Sequence, residues 1–329
     1  MRLRPHSALF AFALGLAASG CSTDSPTTPA ARANQLSAGR SAAFADGAFT
    51  SFDVPGAVGT LALDINASGT IVGRYLAPTT PLTTHGFIRT PDGEITTFDY
   101  PGSSFTAAVG INARGDIVGQ YAVPSAPKQR HGYLLSAGVF TSFDPEGSTF
   151  TNVLGINDRG DIVGRYCTLA VCGPVGTGIY HGYLLSDGQF SPVTFPGSAE
   201  TDAWKINSRG DIAGGFVTSA GEEHAFVLRN GTYTELTLPI SNPVSMDNGG
   251  QNARGDIVGL YCDGAPPCVI VPTGTHGFFL SKDGFETIDY PGAAATSAIG
   301  INARRDIVGG WFDTNGNIHG FLLTRHEEE

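Results

Sequence analysis

An all-β fold made of six four-stranded antiparallel repeats is what this sequence predicts, on three observations. A nine-residue segment recurs six times: INASGTIVG from residue 65, INARGDIVG from 111, INDRGDIVG from 156, INSRGDIAG from 206, QNARGDIVG from 251 and INARRDIVG from 301. The 45 Gly and 20 Pro in 329 residues leave little room for long helices. The aromatic content, 20 Phe and 10 Tyr against 2 Met, suits pleated surfaces on which rings pack across strands.

Each element follows from turn and strand chemistry. The recurring segment ends in Gly-x-aromatic, the aromatics being Tyr75, Tyr121, Tyr166, Phe216, Tyr261 and Trp311. A His then opens a short apolar run, as in HGFIRT, HGYLL, HAFVL and HGFFL. Between that run and the next aromatic strand stand dipeptides such as Asp187-Gly188 and Asp283-Gly284, which readily supply the positive φ of a tight hairpin. The Asn-x-x-Gly of the recurring segment is a second turn. A Pro-Gly loop after strands such as FTSFD, and a loop before the His, complete four strands per repeat.

Length variation is confined to one of these connections. From each His to the Asn of the next repeat the count is 26 to 28 residues, whereas from the aromatic to the His it runs from 8 to 15. With strands alternating in direction, the variable loop and the Pro-Gly loop lie at the same end of every sheet. That end is the candidate functional face. Repeats of 43 to 52 residues with four antiparallel strands resemble blades, so a six-bladed β-propeller is expected, with an open β-solenoid as the alternative. Closure is either blade against blade or by lending the first strand to the last blade.

His224-Ala225-Phe226 and its His-Gly-Phe and His-Gly-Tyr variants, followed by Gly-Ile-Asn-x-x-Gly-x-Ile-Val-Gly, resemble the probable extracellular repeat of the HAF family over residues 49–323. The resemblance implies export and a repeat architecture, and carries no catalytic residue.

The ends and the charge set the context. Arg2 and Arg4, the apolar run from Ala8 to Ala18 and the small residues before Cys21 read as a signal peptide over residues 1–20, too short for a stable span. Ala18-Ser19-Gly20-Cys21 resembles a bacterial lipobox, which implies acylation of Cys21 and a membrane partner through the lipid anchor. Residues 21–46 are then a flexible Ser, Thr, Pro and Ala tether, and residues 47–325 the repeat domain. Ser22 after the cysteine favours the outer membrane or cell surface. The net charge of -11, with Lys and Arg scattered, speaks against nucleic acid.

Candidate site residues divide into shared and unshared ones. The repeated His85, His131, His181, His224, His276 and His319 are expected to bond within their own blade, to the Asp of the Gly-Asp-Ile-Val strand, rather than to form a metal ring. The Arg-Gly-Asp tripeptides, such as Arg114 to Asp116, read as turn chemistry. Asp53, Asp99, Asp144 and Asp289 share a position and read as structural. Asp313-Thr-Asn315-Gly-Asn317 reads as a polar turn without the spacing of a calcium loop. Cys167, Cys172, Cys262 and Cys268 fall in the two longest variable loops, and local pairing is the simplest of three connectivities. Asp64, Asp202, Trp204, Lys205 and Asp247 break the repeat, and either line a shared ligand pocket or are drift. No metal or cofactor is expected. The expected role is a binding module for a glycan or protein, not an enzyme. A glycan hydrolase or lyase is the alternative, although Gly-x-Ser-x-Gly and His-Glu-x-x-His motifs are missing.

Overall fold

The computed structural model describes residues 47–169, 172, 180–236, 249–262 and 274–324. All regular elements among them are strands. In each unit an inner strand is followed by a second, a third and an outer strand, paired antiparallel in that order. The first unit is Gly59–Ile65, Ile71–Ala77, Thr83–Arg89 and Ile95–Phe98. The units starting at Phe105, Phe150 and Glu200 repeat this plan, and a single parallel pair, Thr84 with Phe105, joins the first two. The next unit has Ile257–Cys262, Thr275–Ser281 and Gly284–Ile288 among the described residues, with a Gln251 to Ile257 bridge where its inner strand would pair. The last unit is Ala295–Ile301, Ile307–Phe312 and Ile318–Thr324, and its outer strand is the N-terminal Ala48–Phe52. Closure is therefore by the lent first strand.

Two repeated contacts turn the row of units into a ring. In most units the Val of the second strand packs against a small apolar residue and the Ile of the next inner strand, as Val72 does with Ala108 and Ile111, and Val163 with Ala203 and Ile206. Val308 makes the same contact with Ala62 and Ile65, so the last unit meets the first. At the turns, each Asn folds its own loop: the Asn112 Oδ1 accepts from the backbone N–H groups of Arg114 and Asp116, both at 3.0 Å. Its Nδ2 donates to the Asn157 carbonyl of the next unit at 3.2 Å. Asn66, Asn207, Asn252 and Asn302 do likewise, and the Asn302 bond to the Asn66 carbonyl completes the circle. This is a β-propeller arrangement, and the open solenoid falls because the last unit contacts the first.

The signature residues have architectural work. The aromatic after His-Gly, for example Phe87, Tyr133, Tyr183 and Phe226, is 0 to 1 % exposed and lies over the second-strand Gly. A Cβ on Gly119 would sit 1.9 Å from the Ala107 carbonyl oxygen and 2.7 Å from the Tyr133 hydroxyl, so only Gly fits. Hairpins such as Asp187-Gly188, with φ of 50° and 76°, take the expected left-handed pair.

Candidate functional site

The axis carries two separate polar groups. In five inner strands the register slips by one residue, at Leu63, Val109, Leu154, Trp204 and Ile299. All five are 4 to 7 % exposed. Leu63, Val109 and Ile299 pack together from three units into an apolar layer, while Leu154 and Trp204 share a neighbouring cluster. The next position is Gly110, Gly155, Gly250 or Gly300 in four units, and Asp64 or Lys205 in the other two. These two charges, from the units starting at Gly59 and Glu200, meet across the axis, Lys205 Nζ lying 3.7 Å from the Asp64 carboxylate. Lys205 also donates to the Val109 carbonyl at 3.2 Å, and Asp64 accepts from the backbone N–H groups of Ile65 and Ile111. Burial raises the Asp64 carboxyl above its ordinary range, against the opposing pull of Lys205 and those N–H groups.

A funnel of about 100 Å³ opens above this pair at the turn end, lined also by Gln251 and repeat asparagines such as Asn66 and Asn207. It is small beside an ordinary ligand pocket of roughly 300 Å³ or more. The bonding capacity of Asp64, Lys205 and the Asn ring is taken up internally. Gln251 differs, since among the described residues neither its Nε2 nor its Oε1 has a hydrogen-bond partner.

The second group lies below the apolar layer, at the loop end. Asp202 accepts from Arg165 Nη1 of the preceding unit at 2.6 Å, both side chains being almost buried. The Arg165 guanidinium lies over Tyr180, 4.8 Å from its ring centroid, and Tyr180 meets Phe150 edge-on at 6.3 Å. Burial raises the Tyr180 hydroxyl's pKa; Arg165 lowers it, and Asp202 and Glu200 raise it further. Arg165 stands two residues before Cys167, which is bonded to Cys172 with Cα atoms 6.1 Å apart. Thr149 ties that bridge to the inner strand through the Cys167 and Leu169 carbonyls. In the first two units, burial holds Arg130 at about 10, and Arg74 is held at about 10 by burial and by the charge of Arg130, whose guanidinium lies 3.6 Å over Phe105. Cations, carboxylates and aromatic rings thus stand at the loop ends of these units, the Arg165, Asp202 and Tyr180 group being almost buried.

The structure divides the residues that break the repeat. Asp64 and Lys205 come together; Asp202 lies on the other side of the apolar layer; Trp204 is not pocket lining but fills the space over Gly215 in a seam. Asp247, Cys268 and the Cys262 side chain lie outside the described residues. Arg165 and Tyr180 were missed. The signal for Arg165 was available, since its position, between the repeated Gly and the aromatic, reads Arg74, Gln120, Arg165, Gly215, Leu260 and Gly310, the least uniform place in an otherwise uniform segment.

Five of the six repeated His residues bond inside their blades, but to another partner than expected. His85 pairs with Asp99, His131 with Asp144, His276 with Asp289 and His319 with Asp53, at 2.7 to 2.9 Å. These carboxylates end the outer strand, at the loop end where the His begins the third; the Asp of the recurring segment sits at the other end of its strand. Glu235 serves His224. Each His also packs on its aromatic neighbour, with centroids 4.6 to 5.4 Å apart. The Arg-Gly-Asp sets are turns: Arg114, Arg159 and Arg209 each pair with their own Asp at 2.8 Å. Asp313 accepts from the backbone and side-chain nitrogens of Asn315 and Asn317, which hold its carboxyl at about 2, so that segment is a polar turn. Among the described residues no three His, Cys, Asp or Glu side chains are arranged to hold a metal.

Known proteins place the fold. No family model matches the chain. No curated protein matches it either. Among solved structures it is similar to AofleA from Arthrobotrys oligospora, at 13 % identity over 86 % of this chain and 88 % of that one, with a TM-score of 0.50. It is also similar to the six-bladed fungal lectin of Aleuria aurantia, at 12 % identity over 80 % and 91 %, TM-score 0.49. The β-propeller domain of the Trilobed protease from Pyrococcus furiosus aligns at 8 % identity over 82 % and 97 %, TM-score 0.49. At such identities the likeness concerns the fold alone: the chain is a β-propeller.

Proposed function

We propose that this chain is an exported envelope lipoprotein, anchored through Cys21, whose six-bladed propeller is a binding module rather than an enzyme. Its ligand, a glycan or a protein, docks at the loop end on the Arg165, Asp202 and Tyr180 group beside the bridged loop. The HAF-like repeats belong to the same reading as the shared frame of the blades. The observation that carries the proposal is that the unit-specific Arg165 and Asp202 meet next to the Cys167 to Cys172 bridge, at the end where loop length varies. A stiffened loop loses less freedom on binding. Catalysis by a carboxylate pair finds less support, because Asp64 and Asp202 lie in different layers and each is engaged by a cation.

The test is a glycan array and an envelope pull-down with wild type, Tyr180→Ala, and a Cys167→Ser and Cys172→Ser double variant. Loss of the captured ligand in both variants, with an unchanged far-ultraviolet circular dichroism spectrum, supports the proposal. Capture that neither variant weakens overturns it.

A further inference from the structure

The turn end has a charge pattern of its own. In the last three units, carboxylates lie underneath and guanidinia outside: Asp211, Asp256 and Asp306 have side chains 3 to 10 % exposed, while Arg209, Arg229 and Arg304 are 47 to 58 % exposed. Burial opposes ionisation of Asp211, but bonds from Asn207 and Arg209 and the charges of Arg229 and Arg209 outweigh it and hold its carboxyl below the usual range. The negative charge of these turns is therefore internal, whereas Asp283, in the outer hairpin at the same end, is 62 % exposed beside Lys282.

The guanidinia converge. Arg209 and Arg229 share Asp211, and their Nη2 atoms come within 3.5 and 3.6 Å of the point where a side chain on Gly255 would begin. Arg305 occupies the turn position held by Gly in the other units, at φ 69°, and from there takes Asp256 of the neighbouring unit through two bonds of 2.8 and 3.1 Å. In the other Arg-Gly-Asp turns the Arg takes that Asp. Arg254 is thereby released: it is exposed, and among the described residues its guanidinium has no partner. On a chain of net charge -11 this is a local cationic surface. At the loop end Asp53, Asp99 and Asp289 are 45 to 48 % exposed, each beside its repeat His.

The chain's own ends lie on the same side. Ala48 pairs with Thr324, where other units have their outer hairpin, so the domain's first and last strands open toward the turn end. We propose that the surface around Gly255, formed by Arg209, Arg229 and Arg254, docks on anionic phospholipid headgroups of the membrane that holds the tether. The choice of a membrane over a soluble polyanion rests on the lipid-anchor reading, since a tether leaving this end brings these arginines to the bilayer. The loop end then faces away from the membrane.

The test is flotation of the full chain carrying Cys21→Ser, so that no acyl group contributes, with phosphatidylcholine vesicles with and without phosphatidylglycerol. Binding that needs phosphatidylglycerol and fades with added salt is expected. Arg254→Ala, which breaks no contact among the described residues, should weaken it about fivefold, the worth of one basic residue near an anionic surface. Equal binding to both vesicles, an unaffected Arg254→Ala, or capture by soluble polyglutamate without any vesicle preference overturns the proposal. Acylation of the unsubstituted chain, read from its mass, tests the anchor separately. An acylated chain whose Cys21→Ser form ignores phosphatidylglycerol sinks this surface and leaves the anchor standing.

Discussion

The two ends of this propeller are made by the same repeats under different rules. At the turn end one solution is copied around the ring: an Asn that folds its turn, bonds the next unit and sits beside an Asp that its own Arg covers. At the loop end the shared part is small, a His held by an outer-strand carboxylate, and the rest differs from unit to unit. A ring closes only if each junction repeats, so the turn end is constrained by its neighbours. The loop end is free to specialise.

The largest expected effects come from attacking the buried core and the charged pair on the axis. Tyr183→Ala would empty a site with 1 % exposure and should cost about 3 to 5 kcal/mol, read from denaturant unfolding. Lys205→Ala, which strands the Asp64 carboxylate in the axis, should cost about 3 to 5 kcal/mol. Restoring Gly at both positions should recover most of that loss, because Gly is what four units use there. A double variant no more stable than Lys205→Ala alone would show that the cross-axis pair is more than a neutral replacement.

Acid should act mainly through the turn end. Burial pushes the Asp116 and Asp161 carboxyls up, but bonds from Ser136 and Asn112 on one, Ser186 and Asn157 on the other, and from their own arginines bring them below the ordinary range. Groups lowered in the folded state stabilise it above their unfolded value and lose that contribution as pH falls. The melting temperature should therefore begin to drop below about pH 5 and continue down through the depressed values. A flat profile there would mean the Asn and Asp layer contributes little.

Changes at the bridged loop and at exposed turn arginines should be smaller. Opening the Cys167 to Cys172 bridge should cost about 2 kcal/mol by the chain-entropy relation for so short a loop. Arg114→Ala, at a side chain 54 % exposed, should fall within about 1 kcal/mol.

The strands, their order within a unit and the tight turns were legible in the sequence because local chemistry sets them: positive φ at Asp187-Gly188, the Gly under Tyr133, the alternation of the inner strands. The partner of the His was not legible. Two Asp positions recur in every typical unit, and only the ladder register shows that Asp144, not Asp116, shares an end with His131. The Asp64 and Lys205 pair needed the ring, since 141 residues separate them and only closure sets them face to face. Asp202 and Lys205, three residues apart, seemed one site because the sequence does not reveal the bulge at Trp204 or the layer it belongs to.

The central claim is that ligand contact belongs to the unit-specific residues of the loop end and not to the repeated ones. The most direct measurement compares soluble-ligand affinity of Tyr180→Ala with that of Arg159→Ala, in one assay and at equal stability. Loss of at least about tenfold for Tyr180→Ala, roughly 1.4 kcal/mol, with Arg159→Ala within about twofold of wild type, is the expected result. The reverse order would contradict it.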